Sequence, residues 1–75
     1  MTATATKLPP MPAETQVFDG VWELTWMGAE WVISRRLVRG KRGFKVHRDR
    51  KPVGFVATVA MARAFIRRLV EKEQH

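Results

Sequence analysis

Residues 18–37, FDGVWELTWMGAEWVISRRL, carry the pattern on which the fold turns. Phe18, Gly20, Trp22, Leu24 and Trp26 occupy alternate positions with Asp19, Glu23 and Thr25 between them, so the period is two and the element is a strand with one apolar face. Met27 to Glu30 reads as a turn. Trp31, Ile33 and Leu37 then resume the alternation opposite Ser34 and Arg36, which makes a second strand. Arg35 breaks the parity. Its guanidinium would point into the core unless the residue lies past the edge of the sheet or a bulge at Ser34 to Arg36 turns it outward.

On the carboxy-terminal side, Arg39 to Gly43 reads as a loop, with glycines at 40 and 43 free to take positive φ. Phe44, Val46 and Arg48 alternate with Lys45 and His47 as a third, shorter strand. Asp49 to Pro52 reads as a hairpin turn, and Val53 to Ala57 as a short fourth strand or the end of that hairpin. Thr58 is placed to cap a helix. Ala62, Phe65, Ile66 and Leu69 follow at i, i+3, i+4 and i+7, the stripe of an amphipathic helix that runs to about Lys72. The predicted fold is α+β: an antiparallel three- to four-stranded meander with one carboxy-terminal helix packed on one face. Its core would unite Phe18, Trp22, Trp26, Trp31 and Phe44 with Phe65, Ile66 and Leu69.

Residues 1–16 alternate threonine with alanine and then carry Pro9, Pro10 and Pro12, so they read as a mobile tail, with residues 17–75 as the single domain. No charged leader precedes an apolar core, and no apolar run reaches the roughly 18 residues of a membrane span, which points to a cytoplasmic protein with no membrane partner. There is no cysteine, so neither a disulfide nor a thiolate metal site supports the fold.

Fourteen Lys and Arg oppose seven Asp and Glu, a net charge of +7, and the excess is concentrated. Between Trp31 and Phe55 stand Arg35, Arg36, Arg39, Lys41, Arg42, Lys45, Arg48, Arg50 and Lys51 against Asp49 alone. From Val17 to Glu30 there are only acids: Asp19, Glu23 and Glu30. So dense a run of like charge repels itself in the folded state, and a polyanionic partner would relieve that repulsion. With a helix on one face of the sheet, the other face stays open. It would carry Asp19, Glu23 and Thr25, then Ser34 and Arg36, then Lys45 and His47. Lys41, Arg42, Lys45, Arg48, Arg50 and Lys51, with Arg39 in the same loop, are the candidate phosphate contacts. Arg36 and His47, in mid-strand, would stand nearer the bases.

Duplex DNA is favoured over RNA or a single strand, because an unpaired strand needs rings on the open face and the alternation sends the rings toward the helix. A three-stranded sheet or β-ribbon can instead enter a major groove. Three strands followed by a helix is also the plan of the arm-binding domains of some integrases and of plant AP2-type domains, a likeness of architecture rather than of motif. An alternative is a protein-interaction module, a phage- or plasmid-type inhibitor or adaptor, binding through the sheet face, where Val17 and Val21 beside Asp19 and Glu23 make a mixed patch, or through the first strand as an open edge. The chain could act as a monomer or a homodimer. Catalysis is not expected: Ser34 is the only serine, and His47 and His75 are the only imidazoles. No third group orients such a pair, and no cofactor or metal motif is present.

Overall fold

The computed structural model describes residues 8–74. The first seven residues of the expected tail, and His75, lie outside them. Among the described residues five strands, β1 (Thr15–Phe18), β2 (Val21–Trp26), β3 (Ala29–Val38), β4 (Lys41–Arg48) and β5 (Lys51–Val56), precede one helix, α1 (Val59–Glu73). The strands pair in chain order as one antiparallel sheet, β1-β2-β3-β4-β5. The α+β class and the antiparallel sheet with its carboxy-terminal helix are as predicted, but the strands number five rather than three or four.

The extra strand comes from Asp19-Gly20. Instead of continuing one strand from Phe18 to Trp26, these two residues turn the chain, with Gly20 at φ 74°, and Phe18 pairs with Val21 across them. Asp-Gly between apolar residues is a strong hairpin signal, but here glycine falls on the apolar parity and so hides within the alternation. The other three hairpins close by two-residue turns with both φ angles positive: Met27-Gly28, Arg39-Gly40 and Asp49-Arg50. That geometry matches the right-handed twist of the flanking strands. The Asp49-Arg50 turn contains no glycine, and it is fastened from outside. Glu30 N donates to Asp49 Oδ1 at 3.0 Å, and Asp49 N donates to Glu30 O at 2.8 Å.

Leu24, Trp26, Ala29, Trp31, Ile33 and Val46 from the sheet meet Ala62, Ile66 and Val70 from α1 in one buried cluster. Thr58 caps the helix as expected, its Oγ1 accepting from Met61 N at 3.0 Å. Gly54 admits the helix to β5, because a Cβ there would stand 2.5 Å from Cζ of Phe65. Trp31 and Ile33 are fully enclosed, and Trp31 Nε1 donates to Trp26 O at 3.3 Å. Phe18, predicted in the core, is 73% exposed. Its pairing with Val21 puts it on the opposite face of the sheet from Trp22.

The expected boundary at residue 16 also moves toward the amino terminus. Thr15 and Gln16 belong to β1, and Leu8 and Met11 pack against the core. Arg63 of α1 holds this segment. Its Nη1 donates to Pro12 O at 2.8 Å and to Glu14 Oε1 at 2.6 Å, and its Nη2 donates to Met11 O at 3.4 Å. Prolines at 9, 10 and 12 have no N–H to leave unpaired, so an extended segment can lie against a helix at little cost.

Candidate nucleic-acid interface

Cross-strand partners share a face, so the register assigns every side chain to one side of the sheet. Trp22, Ile33 and Val46 form one row beneath the helix. On the open side, one row runs Phe18, Val21, Ser34, Lys45, Phe55, and the next runs Thr15, Glu23, Val32, His47, Pro52. Arg36, Lys45 and His47 therefore stand on the open face, as anticipated. Ser34, anticipated as a surface residue, is only 4% exposed among its neighbours. The His47 imidazole is held below its ordinary value, by partial burial first and then by Lys45 and Arg36.

Past Ser34 and Phe44 the sheet narrows. The last partner that β2 offers β3 is Val21 against Ser34, and the last that β5 offers β4 is Val56 against Phe44. Beyond them only β3 and β4 continue, pairing Arg36 with Gly43, Leu37 with Arg42 and Val38 with Lys41 before the Arg39-Gly40 turn. At about 3.4 Å per residue this two-stranded ribbon extends roughly 14 Å from Arg35 to its tip. It bears Arg35, Arg36, Arg39, Lys41 and Arg42, and no acid. What was read as a loop over Arg39 to Gly43 is a two-residue turn at the end of paired strands, so Lys41 and Arg42 are held in a ladder.

Arg35 proves to lie past the edge, with no bulge in β3. Its N donates to Gly20 O at 2.7 Å, and its side chain lies over Gly20, where an added Cβ would stand 3.2 Å from Arg35 Cβ. Arg35, Arg36, Leu37 and Arg42 line an open hollow at the base of the ribbon. Arg35 was not among the candidate contacts. The signal for it was the broken parity itself, since a charge at a core-facing position marks where the core stops.

The other end of β3 and β4 differs. Arg48, anticipated as a phosphate contact, faces the helix side, where its guanidinium sits 5.1 Å from the centroid of the Trp31 ring and pairs with Glu73. The Glu73 carboxyl is held below its ordinary value, by that hydrogen bond first. Arg50 and Lys51 are exposed on the Asp49 turn, and along β4 they are roughly 24 Å from the ribbon tip. The nine anticipated contacts thus divide. Arg36, Arg39, Lys41 and Arg42 share the ribbon, and Lys45 and His47 continue its open face. Arg50 and Lys51 stand apart, and Arg48 is taken up internally.

Among the described residues the ion pairs are Arg48–Glu73, Arg63–Glu14 and Arg67–Glu71, none of them on the ribbon. No group of three or more His, Asp or Glu among these residues could hold a metal ion, and no helix is long and apolar enough to cross a membrane. Comparison of the chain with protein-family models, curated proteins and solved structures finds no match, so the functional reading rests on this geometry.

Proposed function

We propose that the protein binds nucleic acid, presenting the β3–β4 ribbon to the major groove of duplex DNA and the adjoining open face to the backbone. The observation that carries this reading is the ribbon: Arg36, Arg39, Lys41 and Arg42, with Arg35 at its base, form no ion pair among the described residues and stand where β3 and β4 run past the last rungs of β2 and β5. Strands about 4.8 Å apart, with side chains on both faces, suit a groove about 12 Å wide and are excluded from one about 6 Å wide. Arg39, Lys41 and Arg42 neutralise phosphates at the groove walls. Arg36, Lys45 and His47 continue the contact along the open face.

A second reading has its own support: Phe18 lies 73% exposed on the edge strand β1 beside exposed Val17, where a partner protein could add a strand. Fluorescence anisotropy with a short labelled duplex separates the two. Binding through the ribbon gives an affinity that falls with salt at a log–log slope of about −4.5 for five phosphate contacts. A duplex that fails to bind at low salt removes the nucleic-acid reading.

A further inference from the structure

We infer that the open sheet face accepts an unpaired nucleic-acid strand, with Phe55 and Phe18 as the rings on which its bases stack. The inference rests on the nucleic-acid reading above and extends it to a second form of the ligand.

The alternation of the sequence sends its aromatic residues toward the helix, but two of the rings go the other way. Phe18 is reversed by the Asp19-Gly20 turn and is 73% exposed. Phe55 pairs with Lys45 on the open side and is 40% exposed. Phe55 is also seated. Its Cζ and Cε2 occupy the space above Gly43, 2.5 and 2.6 Å from where a Cβ would be, so any side chain at residue 43 would displace the ring. A ring fixed at one edge by backbone and open elsewhere is a platform whose ordering cost is already met by the fold.

The two rings end the same row of the sheet, with Val21, the buried Ser34 and Lys45 between them. Four strand spacings separate them by about 19 Å, enough for roughly four nucleotides, the low end of the sites that single-strand folds use. Charge sets the direction in which the backbone lies. Arg36 and Lys41 stand on the ribbon side of this row, past the Asp19-Gly20 turn, whereas Glu23 and Glu30 occupy the β2–β3 part of the other side and His47 its β4 part, so phosphates are drawn to the ribbon side and repelled from the Glu23–Glu30 corner. Rings at the ends, Lys45 in the row between them and Arg36 and Lys41 on the ribbon flank complement a single strand laid across the sheet.

The test compares a labelled oligothymidylate, whose bases stay unpaired, with a blunt duplex, using the wild-type chain and the variants Phe55→Leu and Phe18→Leu. Leucine keeps apolar volume and removes the π-face, and thermal melting confirms that each variant is folded. Stacking lost from one ring should weaken oligothymidylate binding by about five- to a hundredfold. The salt slope and the duplex affinity should stay as in the wild type. Duplex binding without oligothymidylate binding, or oligothymidylate binding that both leucine variants retain in full, overturns the inference and leaves the duplex reading standing. Failure of both probes overturns both readings. Sedimentation adds a last criterion: a dimer that either leucine variant dissociates would assign the rings to a contact between copies and overturn the inference.

Discussion

Both ends of the β3–β4 pair carry cations, and they use them in opposite ways. At one end Arg36, Arg39, Lys41 and Arg42 project on a ribbon based at Arg35, and among the described residues none of the five forms an ion pair. At the other, Arg48 is drawn onto Trp31 and Glu73, and Asp49 is fastened to the Glu30 backbone. One end is left free to meet a ligand, and the other holds the helix to the sheet. Counting cations along the chain does not reveal which of them are paired, because that is decided by what the fold brings against each residue.

The largest effect that would sharpen this contrast is on binding. Lys41→Ala combined with Arg42→Ala should flatten the salt slope by about 1.8 and weaken duplex binding on the order of fiftyfold at 0.1 M salt, since each lost phosphate contact removes about 0.9 from the exponent. Arg50→Ala with Lys51→Ala, at the opposite end, should leave both within about twofold. Equal losses from the two pairs would break the contrast, and anisotropy reads both directly.

Next comes stability. Arg48→Ala removes the cation over Trp31 and the stem that packs there, for about 1 kcal/mol. In a domain of this size that lowers the melting temperature by roughly 4–8 °C, with duplex affinity unchanged. Because Glu73's folded value is depressed, the pair's contribution is present above the ordinary carboxylate value and is lost as pH falls through the depressed one. The difference between wild type and Arg48→Ala should therefore shrink in acid. A smaller gain is expected at the Asp49 turn. Arg50 holds φ 72°, and Arg50→Gly should raise the melting temperature by a few degrees, as about 0.5–1 kcal/mol of backbone strain is released.

The smallest effect concerns His47, on the open face of the sheet between Val32 and Pro52. Its folded value lies below 6.5, so the unfolded chain binds a proton more readily. Stability is unaffected above 6.5 and declines as pH falls from there toward the folded value. A phosphate on the open face would offset the repulsion from Lys45 and Arg36. Duplex binding should then take up a proton and strengthen by a fewfold between neutral and mildly acidic pH, and His47→Gln should abolish that dependence. An NMR titration of the imidazole with and without duplex would measure the shift.

Much of this architecture could be read from the chain, and the exceptions share a cause. Trp22, Leu24, Trp26, Trp31, Ile33 and Val46 declare a buried face because a period of two leaves one choice of side. Thr58 declares its cap for an equally local reason. The split at Asp19-Gly20 was concealed because glycine satisfies apolar parity and turn chemistry alike, and that one turn decides the face of Phe18. The placement of Phe55 depends on the register between β4 and β5, which shifts between Val46 and His47. Of the candidate contacts, Lys41 and Arg42 were legible as charge near glycines. The diversion of Arg48 required Glu73, twenty-five residues away, to arrive on the last turn of the helix.

The grip of Arg63 on the Met11 and Pro12 carbonyls makes the amino-terminal segment part of the folding unit. A fragment starting at residue 17 would expose the side of β2 that β1 covers, uncover the core that Leu8 and Met11 touch, and strand a half-buried guanidinium without its acceptors. Recombinant versions trimmed to the apparent start of the sheet should therefore misbehave through sticky edges and low solubility. Such failures would say nothing about the ribbon, which the deletion does not reach.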